Sequence, residues 1–316
     1  MRTVLVTSRS FSSGDLDLNK YLSDNNCKVI MADSKHDLTE LSKYLGEVDA
    51  WIAGTSPVTS EMMALAPKLK VIARYGVGFE AVDLNAASEK GIVVTNTPGA
   101  NSLAVAELTL GLIFSALRGI VKSASNVRNQ DWSVVRGRQV EGSVVGIIGF
   151  GRIGRILASK LKALGCEILI SDPYVSADEI NKAGYQSKSL DEIASLANIV
   201  SLNAPGDSTI INSHWISIAK QDQIIINSAR AELVDESALA EGLKSKKIAQ
   251  YAADTLAGEK NSKDSPLMAP ELSDRVIVTA HLGAQTVEAI DAMGKISCDN
   301  ALAVLDGKAP LNPVSK

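Results

Sequence analysis

The sequence predicts an α/β protein of two doubly wound domains with parallel sheets, the second domain inserted into the first. The chain has 316 residues, more than one hydrophobic core usually holds. Short apolar segments alternate with helix-like segments along its whole length, which is typical of βα units. A glycine-rich stretch, GIIGFGRIG at residues 146–154, begins almost halfway along the chain.

The composition excludes several classes of protein. Apolar residues make up 46% of the chain, charged residues 22%, and the net charge is −4. A basic nucleic-acid-binding surface or a polybasic membrane patch is therefore not expected. No apolar run reaches the roughly 18–20 residues that span a bilayer, and the N-terminus lacks the pattern of a signal peptide. Because the three cysteines and three histidines are scattered, we expect a cytoplasmic protein without disulfides or a metal site.

Five short apolar segments predict the strands of the first domain. Polar or amphipathic segments, such as residues 38–46 and 60–66, lie between them and predict helices. The predicted strands are residues 4–6, 29–31, 50–53, 70–73 and 92–94.

A long helical pattern at residues 102–118 introduces a second series of strands. The predicted strands are residues 144–148, 167–171, 199–203, 223–227, 249–254 and 276–280. Six strands with helical spacers complete one doubly wound sheet. The final helical pattern, residues 286–305, is expected to return to the first domain. We therefore predict a substrate domain of residues 1–98 plus 285–316 and a nucleotide-binding domain of residues 99–284.

The glycine-rich stretch has the features of a dinucleotide-binding turn of the Rossmann type. Gly149 permits the tight turn, Gly151 allows a pyrophosphate to approach the backbone, and Gly154 lets helix and strand pack closely. The helix that follows offers free N–H groups to the phosphates. Asp172 ends the next predicted strand, where it can accept hydrogen bonds from ribose hydroxyls and repel the 2′-phosphate of NADP. The turn therefore predicts NAD as the cofactor.

Three further side chains follow predicted strands of this domain, at the edge where open α/β sheets bind ligands. His281 directly follows one strand, whereas His36 lies in a polar loop and His214 at a helix start. Arg230 ends another strand, where it could clamp a carboxylate or serve only as a surface residue. Glu259 could be an ordinary solvated carboxylate of a loop. Alternatively, it could pair with a histidine and orient its imidazole.

The motifs together resemble the D-2-hydroxyacid dehydrogenase family, most closely the short phosphoglycerate dehydrogenases. The resemblance covers nearly the whole chain. The matching stretches are Gly149–Gly154, Ser228–Arg230, Asp254 with Glu259, His281–Thr286, Gly76–Gly78 and Asn96–Glu107. It implies a flavodoxin-like substrate domain, with the active site in the cleft between the domains.

The resemblance also implies roles for individual residues. Arg230 would bind and polarise a 2-oxo acid, His281 would be the acid/base, and Glu259 would be its partner. Backbone N–H groups of Val77 and Gly78, with Asn101 nearby, would hold the substrate carboxylate. The residues assigned to NAD binding are Gly149, Gly151, Arg152, Ile153, Gly154, Asp172, Asn203, Pro205, Ser228, Ala229, Arg230, Asp254, His281, Gly283 and Ala284.

The expected activity is NAD-dependent hydride transfer to or from a small D-2-hydroxy acid, with 3-phosphoglycerate as the first candidate substrate. Hydroxypyruvate or glyoxylate reduction, or the oxidation of another anionic acid such as a sulfonate, is the alternative. The loop of residues 54–59 lacks the arginine that suits a substrate phosphate in many phosphoglycerate dehydrogenases. An NAD-sensing corepressor is a minor alternative. The helix that begins near Asn101 and the segment around Trp132 are expected to form a homodimer, and a tetramer remains compatible.

Overall fold

The computed structural model describes residues 1–206, 208–258 and 263–314. The chain divides into two compact units. The first unit consists of Met1–Asn101 and Ala284–Lys316, and the second of Ser102–Gly283. The chain therefore passes from the first unit to the second once and returns once.

The first unit contains a five-stranded parallel sheet in the order β2-β1-β3-β4-β5. This is the flavodoxin-like order. The strands are β1 (Arg2–Val6), β2 (Cys27–Met31), β3 (Ala50–Ala53), β4 (Val71–Arg74) and β5 (Val93–Thr95). The helices are α1 (Leu18–Asp24), α2 (Leu38–Leu45), α3 (Ser60–Ala64), α4 (Leu84–Glu89) and, from the C-terminal part of the chain, α12 (Val287–Leu305).

Local sequence explains why these helices begin where they do. The side chains of Asp17, Asp37, Thr59 and Asp83 each accept a hydrogen bond from a backbone N–H in the first turn of α1 to α4. Thr286 caps α12 in the same way. The strands β1, β3 and β4 are almost fully buried, the edge strand β2 is partly exposed, and apolar clusters cover both faces of the sheet.

The second unit contains a seven-stranded parallel sheet in the order β12-β11-β10-β9-β6-β7-β8. The strands are β6 (Val144–Ile148), β7 (Glu167–Ser171), β8 (Gln186–Ser187), β9 (Ile199–Leu202), β10 (Gln223–Asn227), β11 (Ile248–Ala253) and β12 (Val276–Val278). The helices are α5 (Ser102–Arg118), α6 (Ile120–Arg128), α7 (Arg152–Ala163), α8 (Ala177–Lys182), α9 (Leu190–Leu196), α10 (Ser213–Ile218) and α11 (Glu236–Lys244). This is a Rossmann arrangement extended by one strand.

The predicted α/β class with two parallel sheets is confirmed, and one strand of the second sheet was missed. β8 comprises only Gln186 and Ser187, which pair with Leu169 and Ile170 of β7 at the edge of the sheet. A two-residue polar edge strand leaves no apolar run in the sequence. The prediction of six strands was therefore wrong by one.

Among the described residues, no single helix has the length and hydropathy needed to cross a bilayer. The helices α5 and α6 satisfy those criteria only as a pair, and the pair is bent by 64°.

Candidate active site

The glycine turn joins β6 to α7 and has the shape of a phosphate cradle. Gly149 has φ +95°, and a Cβ atom there would lie 2.6 Å from the carbonyl oxygen of Asn203. A Cβ at Gly154 would lie 2.1 Å from the carbonyl oxygen of Gly149, so neither position admits a side chain. Gly151 precedes α7 without a side-chain cap, and the space beside its Cα is open. α7 therefore begins beside open space, and the N-terminus of a helix is suited to binding a pyrophosphate.

Asp172 lies directly after β7 and is tied to the glycine turn. Its Oδ2 accepts a hydrogen bond from the backbone N–H of Phe150 at 2.6 Å, and its Oδ1 accepts one from Tyr174 at 2.8 Å. The side chain is half-buried. Because each carboxylate oxygen has a further lone pair, Asp172 can still accept hydrogen bonds from ribose hydroxyls.

Asn203 directly follows β9, the strand that pairs with β6. Its Nδ2 donates to the carbonyl and the hydroxyl oxygen of Ser201, both at 3.1 Å. Its Oδ1 is buried and accepts no hydrogen bond within the described parts of the chain. A buried amide oxygen without a donor is suited to a ligand N–H or O–H group. Pro205, two residues further on, is exposed.

Arg230 closes a short turn after β10 that the side chain of Asn227 organises. The Asn227 amide accepts a hydrogen bond from Ala229 N–H at 3.0 Å and donates one to the Arg230 carbonyl at 2.8 Å. Asn227 also donates to the hydroxyl of Tyr251 at 3.4 Å, and burial raises the pKa of that tyrosine, which stays neutral. The aliphatic part of the Arg230 side chain lies against Gly206. A Cβ atom added to Gly206 would lie 3.2 Å from the Cβ of Arg230.

His281 lies on a loop that the buried carboxylate of Asp254 holds in place. Asp254 Oδ1 accepts hydrogen bonds from Thr279 Oγ1 at 2.5 Å and Leu282 N–H at 2.7 Å, and Oδ2 accepts one from Gly283 N–H at 2.7 Å. The backbone N–H of His281 donates to the Asp254 carbonyl at 3.1 Å. His281 adopts a left-handed conformation with φ +55°, and its side chain is exposed. The backbone of the loop is thus held by Asp254, while the side chain of His281 is exposed to solvent.

The sheet brings these two loops to one edge. β10, β11 and β12 are neighbours, and Asn227, Ala253 and Val278 are in register. The ladder continues beyond the strands, since Asp254 N–H donates to the Asn227 carbonyl at 2.9 Å. The segments Ser228–Arg230 and His281–Gly283 therefore both leave the carboxyl edge of the sheet that also carries the glycine turn. Glu259 lies outside the described residues.

Of the predicted substrate-binding residues, Val77, Gly78 and Asn101 belong to the first unit, and Arg230 and His281 belong to the second. Ala284, which was assigned to NAD binding, also belongs to the first unit. Val77 and Gly78 follow β4, and the carbonyl of Val77 accepts a hydrogen bond from Asn96 Nδ2 at 2.8 Å. Arg74 lies beneath this loop, almost fully buried, and donates to the carbonyls of Ala53 and Tyr75 at 3.1 and 2.5 Å.

Asn101, the last residue of the first unit, has a buried Oδ1 that accepts no hydrogen bond from the part of the chain the structure describes.

Sequence reasoning missed the residues that hold these loops. Asn227 was predicted only as the last residue of a strand. The hydrogen bonds of its amide to the backbone of Ala229 and Arg230 form only in the folded turn. His36 lies in the predicted loop, yet its side chain is 4% exposed. Its Nε2 lies 2.6 Å from Thr7 Oγ1 and its Nδ1 2.8 Å from the Pro57 carbonyl. The polar neighbours of His36 in the sequence gave no signal of this burial.

The chain is similar to known proteins in both sequence and fold. Residues 110–283 match the family model of the D-isomer specific 2-hydroxyacid dehydrogenase, NAD binding domain. D-3-phosphoglycerate dehydrogenase of Methanocaldococcus jannaschii is 37% identical over 284 residues, which are 87% of this chain and 53% of that protein. A Staphylococcus haemolyticus protein named among the 2-hydroxyacid dehydrogenases is 34% identical over 82% of this chain and 83% of its own. The crystal structure of the TT0316 protein from Thermus thermophilus superposes with a TM-score of 0.88 at 29% identity, covering 99% of this chain and 100% of that one.

The chain spans about half the length of the phosphoglycerate dehydrogenases it matches. The family match itself covers more than half of this chain, and it falls on the unit that carries the glycine turn and the loops of Arg230 and His281. The residues present fit NAD, because the turn leaves an open cradle at Gly151 and an acidic side chain at the ribose position. The chain therefore belongs to the D-isomer specific 2-hydroxyacid dehydrogenase family, and its second unit contains the NAD-binding domain of that family.

Proposed function

We propose that the protein is an NAD-dependent dehydrogenase that interconverts a small D-2-hydroxy acid and the corresponding 2-oxo acid. The observation that carries this proposal is the convergence of the Arg230 turn and the His281 loop on the sheet edge of the glycine turn. Ligands of open α/β sheets bind at that edge. Bound NAD supplies the hydride acceptor or donor.

The side chains on this edge have complementary roles. His281 holds a proton on its imidazole and gives it to the substrate oxygen during reduction, or removes it during oxidation. The Arg230 guanidinium binds the 2-oxo acid and stabilises negative charge that develops on that oxygen. Glu259 is proposed as the partner that orients His281. In the first unit, the backbone N–H groups of Val77 and Gly78 are proposed to bind the substrate carboxylate. Asn101 is proposed to bind the substrate as well, and its buried amide oxygen can accept a hydrogen bond only from an O–H or N–H group.

We propose 3-phosphoglycerate as the first substrate to test. The 37% identity to an archaeal D-3-phosphoglycerate dehydrogenase supports this choice. The loop of residues 54–59 carries no cation, and the nearby Arg74 already donates to two backbone carbonyls. These features favour the alternative of a 2-oxo acid without a phosphate, such as hydroxypyruvate or glyoxylate. A substrate with a different anionic tail, such as a sulfonate, is a second alternative.

Two further assignments belong to this proposal. The first unit would act as the substrate domain and the second as the nucleotide domain, with domain limits near residues 98 and 285. We propose a homodimer that forms through the second unit, because exposed apolar side chains cluster between residues 103 and 134 of its sequence. These side chains are Leu103, Ile120, Val121, Val127, Trp132 and Val134. The buried free cysteines support a reducing, cytoplasmic location.

One assay tests the proposal. Purified protein and NADH are mixed with a panel of 2-oxo acids, with and without phosphate or sulfonate tails, and NADH absorbance is followed. We expect turnover of at least one D-specific pair, and slower turnover with NADPH because of the Asp172 carboxylate. Absence of turnover on the whole panel, together with tight NADH binding, would favour a dinucleotide-sensing corepressor instead.

A further inference from the structure

A buried hydroxyl on α5 touches the turn that presents Arg230. Thr109 lies near the middle of α5 and is 0% exposed. Its Oγ1 lies 2.7 Å from the Oγ of Ser228 and 2.7 Å from the carbonyl oxygen of Val105. Ser228 is the first residue after β10 and is half-buried. The contact therefore joins a helix to the carboxyl edge of the sheet.

The two distances fix the direction of both hydrogen bonds. A carbonyl oxygen can only accept, so the single hydroxyl proton of Thr109 must point to Val105. If Thr109 donated to Ser228 instead, the Thr109 oxygen and the Val105 carbonyl would face each other at 2.7 Å with no proton between them. The proton in the second contact must therefore come from Ser228. The structure thus determines the orientation of the Ser228 hydroxyl.

This orientation decides whether Ser228 can donate a hydrogen bond to a ligand or accept one from it. Its only proton is used by Thr109, and what remains on the open side is lone pairs. Ser228 can then accept a hydrogen bond from a ligand but cannot donate one. The turn itself is held separately, because Asn227 binds the backbone of Ala229 and Arg230. Thr109 therefore orients the Ser228 hydroxyl rather than supporting the turn alone.

We propose that Thr109 is a positioning residue that fixes Ser228 as the hydrogen-bond acceptor for the carboxamide N–H of bound NAD. The proposal rests on the proposed function, in which Arg230 and His281 act on the substrate at the ends of β10 to β12, so that the nicotinamide must lie there too. The carboxamide carries the only N–H groups of the nicotinamide ring. An acceptor fixed in this way selects the carboxamide rotamer that turns its nitrogen toward Ser228. The ring face presented to the substrate is thereby constrained by a residue that does not contact the ligand.

Binding measurements on the full-length protein test this inference independently of turnover. Affinities for NAD and for 3-acetylpyridine adenine dinucleotide, in which a methyl group replaces the amide nitrogen, are measured by calorimetric titration. One neutral hydrogen bond corresponds to roughly threefold to tenfold in affinity. Ser228→Ala should therefore weaken NAD binding by about tenfold and Thr109→Val by about threefold. Neither variant should change the affinity for the analogue.

Three controls make the result specific to the hydrogen-bond relay. Thr109→Ser keeps the hydroxyl and should restore NAD affinity. The double variant of Thr109→Val and Ser228→Ala should bind NAD no more weakly than Ser228→Ala alone, because both changes remove one interaction. Thr95→Val is the matched control, since Thr95 is a buried hydroxyl of the first unit that makes no hydrogen bond within the described residues. It should leave both affinities unchanged.

The outcomes separate this inference from the proposed function. Equal weakening of NAD and the analogue by Thr109→Val, or no weakening of either, would overturn the role of Thr109. Additive losses in the double variant would overturn it as well. Wild-type protein that binds NAD but reduces none of the 2-oxo acids would refute the proposed function, and the affinity differences would still report on Thr109 and Ser228.

Discussion

Replacing Asp254 by asparagine should loosen the loop that carries His281. In the native protein the carboxylate accepts three hydrogen bonds, from Thr279, Leu282 and Gly283. An asparagine has one oxygen and one NH₂ group. If the NH₂ group takes the place of Oδ1 it meets the N–H of Leu282, and in the place of Oδ2 it meets the N–H of Gly283. In either orientation one backbone N–H loses its acceptor.

The expected change in loop opening follows from the loss of one hydrogen bond to the carboxylate. A hydrogen bond to a charged group contributes about 1.5–3 kcal/mol, which corresponds to roughly tenfold to a hundredfold in a local opening equilibrium. Amide hydrogen exchange of the ligand-free protein measures this opening directly. We expect the peptide covering residues 279–284 to exchange faster by that factor in Asp254→Asn. The measurement needs no NAD, so a contact of Asp254 with the cofactor does not enter the result.

A second carboxylate of the same kind provides the control. Asp291 accepts hydrogen bonds from the backbone N–H groups of Asp15 and Leu16 in the first unit. Asp291→Asn should accelerate exchange around residues 14–16 and leave residues 279–284 unchanged. Native exchange rates at residues 279–284 in Asp254→Asn would show that the carboxylate does not hold the His281 loop.

Three further predictions concern the cradle, a buried histidine and assembly. Gly154→Ala should abolish NAD binding in a calorimetric titration, because the new Cβ would lie 2.1 Å from the Gly149 carbonyl; retained affinity would contradict the close packing of helix and strand. Burial lowers the pKa of His36 below its usual 6.5 in the folded protein, so the unfolded chain binds a proton first as the pH falls. The free energy of unfolding should then drop below about pH 6.5 and level off below the folded pKa, and urea midpoints for His36→Gln should show a smaller drop. Trp132→Glu should convert a dimer into monomers in light scattering if the exposed side chain, 75% accessible in one chain, lies in the interface; an unchanged mass would exclude it.

The elements that the sequence predicted correctly are those with local causes. The strands were recognisable as apolar runs, and α5 was predicted with the bounds Ser102–Arg118 that the structure has. The glycine turn was recognisable because a side chain at Gly149 would clash with Asn203 and one at Gly154 with Gly149, whereas Gly151 leaves open space beside the backbone. β8 escaped prediction because two polar residues at a sheet edge produce no periodicity.

The elements that could not be predicted depend on contacts between distant positions. Thr109 and Ser228 are 119 residues apart, and Asp254 and Leu282 are 28 apart. His36 is buried by contacts with Thr7 and Pro57, which its own neighbourhood does not reveal. The roles of Arg230, Glu259 and His281 stay predictions, and Glu259 lies outside the described residues.

The most direct test of the chemistry is a single-turnover measurement on His281→Asn. Asparagine tolerates the left-handed conformation that His281 adopts, so the loop should keep its shape. We expect NADH binding largely to survive, and the oxidation of bound NADH by the best 2-oxo acid to slow by at least about a hundredfold, the scale of general acid catalysis. Oxidation at the native rate would contradict the placement of the acid/base group at the end of β12.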